Sequence, residues 1–389
     1  MKDYINAHLH DDVQRLALSL KGKPEGLNAP FILRQIAGRQ AIKDKLPGWY
    51  SNDNILYPEH LPLEQCSSEL TAQYKAGLCK GNSLIDLTGG FGVDCAALSQ
   101  NFTQVSYVER QEELCRLAKH NFSILGLKQI QVMQGDSKEY LQSSVSSVDC
   151  IYLDPARRDR YGKKIVAISD LEPNLSELKA LLFDKTTTVL VKFSPMLDIS
   201  LALKSLQETT DVHVVSVDNE CKELLFLMQR GFEGEVQIHA VNLSRKQMYQ
   251  PVVFSRSEEA NTIPAYTSDI SAYLYEPNAS ILKAGGYKVV TRNFPVRKLH
   301  PDSHLYTSDV LIKDFPGRIF CVDNVITFNK KDLKKSLQDV NQANISVRNF
   351  PLSVDEIRKK LHLKPGGNIY LFATTLANKK RVLICGSRC

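Results

Sequence analysis

Over the middle of the chain, short apolar runs alternate with amphipathic stretches, and this rhythm predicts strands alternating with helices. Ser83-Leu84-Ile85-Asp86 reads as a strand, Leu87-Thr88-Gly89-Gly90-Phe91-Gly92 as a turn, and Val93-Asp94-Cys95-Ala96-Ala97-Leu98 as a helix start. A second strand, 104–109, ends in Glu109 and leads into a helix carrying Leu114, Leu117, Ala118 and Leu125. The third, 130–134, ends in Gly135-Asp136, and the fourth, 148–153, in Asp154-Pro155-Ala156-Arg157. Four successive strands are thus each closed by a carboxylate. A fifth, 188–192, ends in Lys192, and two further apolar runs follow at 212–217 and 223–228. So few residues separate those two that they must pair antiparallel, because a parallel crossover needs about a dozen or more.

The flanks read differently. Asn28-Ala29-Pro30 supplies a cap and an early proline for a helix with Ile32, Leu33, Ile36, Ala37 and Ala41 on one face, stopped by Pro47-Gly48. Residues 52–63, with Pro58 and Pro62, read as a linker-like crossing, and Ser67-Ser68 opens a helix that runs into the glycine turn. Beyond 257–269, a polar stretch, comes a short helix over 276–283 closed by Gly285-Gly286, then strands as far as Val322. The final stretch predicts helix (333–340), strand (343–348), helix (354–361) and two strands (368–376 and 381–385). The expected domains are a helical segment 1–65, a catalytic-type domain 66–256, a small α+β piece 270–328 and a basic domain 329–389.

Charge sharpens this division. The net charge of the 389 residues is +6. Residues 329–389 hold 13 Lys or Arg against 4 Asp or Glu, a net of +9, so the preceding residues carry 6 − 9 = −3. A positive excess confined to one module is the footprint of a polyanion-binding surface, with a solvated basic face as the plain alternative. No apolar run approaches the roughly 18 residues of a membrane helix and the start has no apolar secretory core, so a cytoplasmic protein is expected. The 9 cysteines are scattered without CxxC pairs and read as reduced core residues, with no metal site.

Chemistry gathers at the strand ends. Gly90 and Gly92 leave room for a ligand against the backbone, and Asp86 can accept a hydrogen bond from a ligand hydroxyl or ammonium. Glu109 lies 23 residues past Asp86, near the spacing at which a doubly wound sheet places an acid on a ribose. The run Asp86-Leu87-Thr88-Gly89-Gly90-Phe91-Gly92, with Glu109, resembles the class I S-adenosylmethionine-dependent methyltransferases over about residues 67–230. The resemblance implies an α/β fold, a doubly wound Rossmann-like sheet ending in an antiparallel hairpin, with S-adenosylmethionine as cofactor. It implies that Asp86 and the glycine turn hold the methionine part, Glu109 the ribose and Asp136 the adenine amino group, while Asp154 faces the substrate. Thr88 departs from the family pattern, which has its first glycine there. A nicotinamide dehydrogenase is the rival, disfavoured because Cys95 stands at the third glycine place and an acidic strand end would repel a pyrophosphate.

The candidate catalytic group is Asp154 with Pro155 and Arg157, and the cofactor set is Asp86, Thr88, Gly90, Gly92, Glu109, Asp136 and Asp154. Asp154-Pro155-Ala156-Arg157 is not the Asp/Asn-Pro-Pro-Tyr/Phe of exocyclic-amine methylating enzymes, so the methylated atom stays open. The basic run 157–164 suits phosphate contacts with Tyr161 as a stacking surface. Lys192 lies at the same rim, and Cys221 reads as a turn residue. The ending, with Gly366-Gly367 and its charge, is similar to the THUMP-like domains of a bacterial methyltransferase group, which implies an RNA substrate, tRNA or rRNA. Two other classes remain: a small-molecule or protein methyltransferase, and a non-catalytic RNA-binding protein with a vestigial cofactor pocket.

Overall fold

The apolar runs between residues 83 and 229 become the strands of a mainly parallel sheet in a computed structural model, which describes residues 1–20, 28–143, 147–157, 168, 171–246 and 250–389. The chain divides into two units, one of residues 1–211 with 223–234 and the other of residues 212–222 with 235–389.

In the first unit the strands are β1 (Ser83–Asp86), β2 (Gln104–Glu109), β3 (Ile130–Gln134), β4 (Cys150–Leu153), a two-residue ribbon of β5 (Ala156–Arg157) and β6 (Leu171–Glu172), and β7 (Thr188–Phe193). The hairpin partners β8 (Thr209–Val217) and β9 (Glu220–Gln229) follow, with residues 212–222 of the pair counted in the second unit. Their order in the sheet is β9-β7-β4-β1-β2-β3. Neighbours from β7 to β3 are parallel, and β9 joins β7 antiparallel. The turn of that hairpin is only Asp218-Asn219, both at positive φ, so the strands run longer than their apolar runs and Cys221 falls inside β9. The order in which successive strands are added reverses between β1 and β4, the switch point at which open α/β sheets hold ligands.

The amino-terminal segment packs on this sheet's helices and turn. Asn28 caps the helix Ala29–Ile42, its side chain accepting from the Phe31 N–H; of the expected face Ile32 and Ile36 are buried and Leu33 and Ala37 half-buried, but Ala41 is exposed and Ile42 is buried in its place. Residues 52–63 are no linker. The Leu56 N–H donates to Asn121 Oδ1 at 2.9 Å and Asn121 Nδ2 donates to the Leu56 carbonyl at 2.9 Å, so a fully buried amide on the helix Glu112–Ile124 satisfies the crossing backbone. Trp49 and Tyr57 press on Phe91 of the glycine turn, with ring centroids 4.9 and 6.2 Å away.

In the second unit β10 (Gln237–Leu243) pairs antiparallel with β11 (Val252–Ser255). A separate sheet contains β12 (Tyr273–Pro277), β13 (Arg297–Lys298), β14 (Tyr306–Ser308), β15 (Gly317–Thr327), β16 (Asn344–Arg348), β17 (Tyr370–Thr375) and β18 (Arg381–Arg388), in the order β13-β14-β12-β15-β18-β17-β16. Alternation along the strands serves two cores. Leu371, Ala373 and Leu383 meet Leu333 and Ile357 of the helices Lys330–Ser336 and Val354–Leu361, while Phe372, Val382 and Ile384 meet Leu274, Leu299 and Phe320. The helix–strand–helix–strand–strand order of the ending is as the sequence predicts. Cys321 and Cys389 correct the reading of nine reduced cysteines, since they are joined in a disulfide. They are 68 residues apart in sequence, but β15 and β18 pair and bring them together. Among the described residues no helix is long and apolar enough to cross a membrane.

Candidate active site

The glycine turn is held from three sides before any ligand is considered. A Cβ on Gly89 would lie 2.2 Å from the Tyr107 ring, so only glycine lets the turn sit on β2, and the Tyr107 hydroxyl donates to the Gly90 carbonyl at 2.6 Å. Gly90 and Gly92 both have positive φ, at 56° and 86°. They differ in surroundings: a Cβ on Gly92 would strike Phe122, whereas Gly90 meets only the Thr88 carbonyl at 3.7 Å. Room for a ligand is therefore at Gly90, and Gly92 is also a packing glycine.

Asp86 and Glu109 lie at the ends of adjacent strands. Glu109 Oε2 accepts from the Gly90 N–H at 2.9 Å and Oε1 from the Gln111 N–H at 2.8 Å. One carboxylate thus ties the turn to β2, and each oxygen keeps a lone pair for a further donor. Asp86 is almost fully buried and Oδ1 accepts from the Thr88 N–H at 3.0 Å. Burial pushes its carboxyl up to about 8, with the charges of Asp94, Asp154 and Glu109 acting in the same direction against the Thr88 hydrogen bond. Such an acid is poised for a cation. Asp136, exposed beyond the edge strand β3, accepts from the Lys138 N–H at 2.8 Å and starts the helix Ser137–Ser143.

Across the switch point, Thr88 Oγ1 accepts from the Asp154 N–H at 2.6 Å. The residue that departs from the family pattern therefore clasps the turn to the end of β4. The Asp154 side chain is 35% exposed and forms an ion pair with Lys192 at the end of β7. Pro155 is buried, and Arg157 pairs through its backbone with Leu171. The rest of the basic run, 158–164, lies outside the described residues.

Beneath Asp154 is a buried ionic cluster that the sequence reading missed. Lys75 Nζ, wholly buried, donates to both Glu223 oxygens at 2.7 Å and to Ser67 Oγ at 2.9 Å, and lies 3.2 Å from Asp94 Oδ1. Asp94 Oδ2 accepts from Ser67 Oγ at 2.8 Å and Tyr152 Oη at 2.7 Å. Burial raises the Asp94 carboxyl, but Lys75, Lys192 and the two hydroxyls outweigh it and hold the group below its ordinary range. For Glu223 burial wins over the same lysines, and its pKa is raised. Burial works against the Lys192 ammonium, yet Asp154, Asp94 and Glu223 overcome it and raise its pKa. A buried carboxylate, a second carboxylate at the end of the adjacent strand and an open glycine wall together fit S-adenosylmethionine, which carries an ammonium, a sulfonium and a ribose diol.

Three families match parts of the chain: one described as conserved hypothetical protein 95 over residues 69–207, a ferredoxin-like domain over 273–316, and a THUMP domain-like family over 317–387. None of the curated proteins matches it. The crystal structure of a candidate methyltransferase from Porphyromonas gingivalis W83 is similar at 36% identity over 100% of this chain and 97% of its own, with a TM-score of 0.89. A candidate methyltransferase from Streptococcus mutans, solved with SAH, has 16% identity over 41% of this chain and 96% of its own, with a TM-score of 0.31. TrmK from M. capricolum, solved with S-adenosyl-homocysteine, has 13% identity over 43% of this chain and 70% of its own, with a TM-score of 0.32.

Proposed function

The chain belongs to the family of class I S-adenosylmethionine-dependent methyltransferases with a C-terminal THUMP-like domain, and on that premise we propose that it methylates RNA, tRNA or rRNA, gripped by its basic tail in the cytoplasm. The observation that carries the reading is the gathering of Asp86, Glu109 and Asp154 at the carboxyl ends of three neighbouring strands, around a turn open at Gly90. Bound S-adenosylmethionine supplies a methyl group already activated on a sulfonium, so the protein contributes position, exclusion of water and charge.

In this reading Asp86 accepts from the methionine ammonium, Glu109 takes the ribose hydroxyls and Asp136 the adenine amino group, with Thr88, Gly90 and Gly92 shaping the wall. Asp154, with Pro155 and Arg157 behind it, faces the substrate and positions the nucleophile or accepts its proton. The RNA substrate is supported by the THUMP-like match over 317–387 and by the +9 charge of residues 329–389. The test is incubation with tritiated methyl donor and total RNA from cells lacking the gene. Label in one RNA fraction is the expected result. Cofactor binding without RNA labelling moves the substrate to a protein or small molecule, and RNA binding without cofactor binding removes the enzyme reading.

A further inference from the structure

Asp154 is held at two points. Its backbone N–H is fixed by Thr88 Oγ1 at 2.6 Å, and among the described residues its carboxylate is held by Lys192. Lys192 stands in β7, which is hydrogen-bonded on both sides, parallel to β4 and antiparallel to β9, so its Cα has little freedom to move. The side chain is 11% exposed against 35% for Asp154, which makes the lysine the inner member of the pair and the carboxylate the outer one. The groups around them come from every neighbouring element: Asp94 from the helix Val93–Leu98, Glu223 from β9, Lys75 from the helix Glu69–Ala76, Tyr152 from β4, Asp86 from β1 and the Cys66 thiol.

Counted as charges among the described residues, Asp94, Asp154 and Glu223 face Lys75 and Lys192. Take Lys192 away and three carboxylates are left with one ammonium, which is already bonded to Glu223. A buried charge that loses its partner either moves toward water or takes up a proton. Asp154 is the member of the group able to do both, because it alone has a third of its surface open.

We propose that Lys192 is a positioning residue, which aims the Asp154 carboxylate at the substrate through their ion pair, with the Lys75–Glu223–Asp94 cluster as its fixed base. This rests on the reading of Asp154 as the substrate-facing group, yet it makes a claim about the carboxylate that holds whatever the substrate is. Lys192 touches neither substrate nor cofactor in this scheme.

The test uses the full chain and the variants K192M, K192Q and K192R. Aspartate carboxyl carbons are labelled and followed by NMR against pH, with D154N to assign the Asp154 signal. In K192M and K192Q the Asp154 signal is expected to titrate at higher pH than in the parent, from loss of an adjacent cation. K192R, which keeps the charge, is expected to restore it. Affinity for S-adenosylhomocysteine should stay within about threefold of the parent, since ligand contacts are untouched. If bulk RNA is methylated by the parent, kcat in K192M should fall at least about tenfold at pH 7, and the acid limb of its pH profile should shift with the carboxyl titration. An Asp154 titration unmoved in a folded K192M or K192Q overturns the proposal, even if activity is lost. A parent that methylates no RNA removes the functional reading instead, and leaves the titration result standing on its own.

Discussion

Raising the pH from 6 to 7 should tighten S-adenosylhomocysteine binding about tenfold, because the carboxyl that meets the ligand's ammonium has to lose a proton first. Asp86 is pushed up to about 8 by burial, so near neutrality most molecules of the free protein carry it protonated. A ligand ammonium replaces that proton, and each binding event below pH 8 then expels about one proton to the buffer. Above about pH 8 the carboxyl is already ionised and the dependence should flatten. Calorimetry at pH 6, 7 and 8 in two buffers of different ionisation heat measures both the affinity and the protons released. Asp86→Asn should bind weakly and without the slope. The stability of the free protein has the matching sign: an acid with a raised folded pKa stabilises fully below its unfolded value and loses that contribution as pH rises through the folded one. Melting temperature of the parent should therefore fall between about pH 4 and pH 8 relative to Asp86→Asn. A flat affinity profile with no proton release refutes the placing of the ammonium at Asp86.

Glu109→Ala should weaken the same ligand roughly 10- to 100-fold, from loss of hydrogen bonds to a charged acceptor worth about 1.5–3 kcal/mol, and should lower the melting temperature because the Gly90 and Gln111 N–H groups lose their acceptor; unchanged binding by calorimetry would sink the ribose assignment. Thr88→Val leaves the Asp154 N–H without its hydroxyl partner and should cost about 1–3 kcal/mol in denaturant unfolding, whereas Thr88→Ser should be nearly silent. If the tail grips about four to six phosphates, the log of RNA affinity should fall against log salt with a slope of about −3 to −4, and Lys334, Lys335 and Lys359 changed together to Glu should flatten it by about 2. These three are exposed, while Lys360 is spared because its ammonium lies 4.9 Å from the Phe328 ring. Equal slopes would mean that the positive face is merely solvated.

The parallel core was legible because β1, β4 and β7 are nearly continuous apolar runs, and β1, β2 and β4 are each closed by a carboxylate where the backbone emerges at the crevice. Helix starts were legible too: Asn28 and Ser68 both cap as their side chains suggest. The ionic cluster was not. Lys75 and Glu223 are 148 residues apart, and each sits in a stretch where a charge reads as solvated surface until the fold closes over it. Residues 52–63 were misread for a related reason. Prolines and polar residues signal irregular backbone correctly, but whether that backbone faces water or a buried amide such as Asn121 depends on a partner far along the chain. The Cys321–Cys389 pair likewise follows from the register of β15 with β18, which no spacing rule contains.

Trp49 is the chain's one tryptophan, and it is buried with its ring against Phe91 in the glycine turn. The protein therefore carries its own optical reporter, needing no dye or label, at the wall where a cofactor would settle. Emission from that indole comes from one site beside the turn, with no second tryptophan to dilute the signal. Stopped-flow fluorescence of the unaltered chain can then follow the turn's response in time, separating ligand arrival from any later step at Asp154.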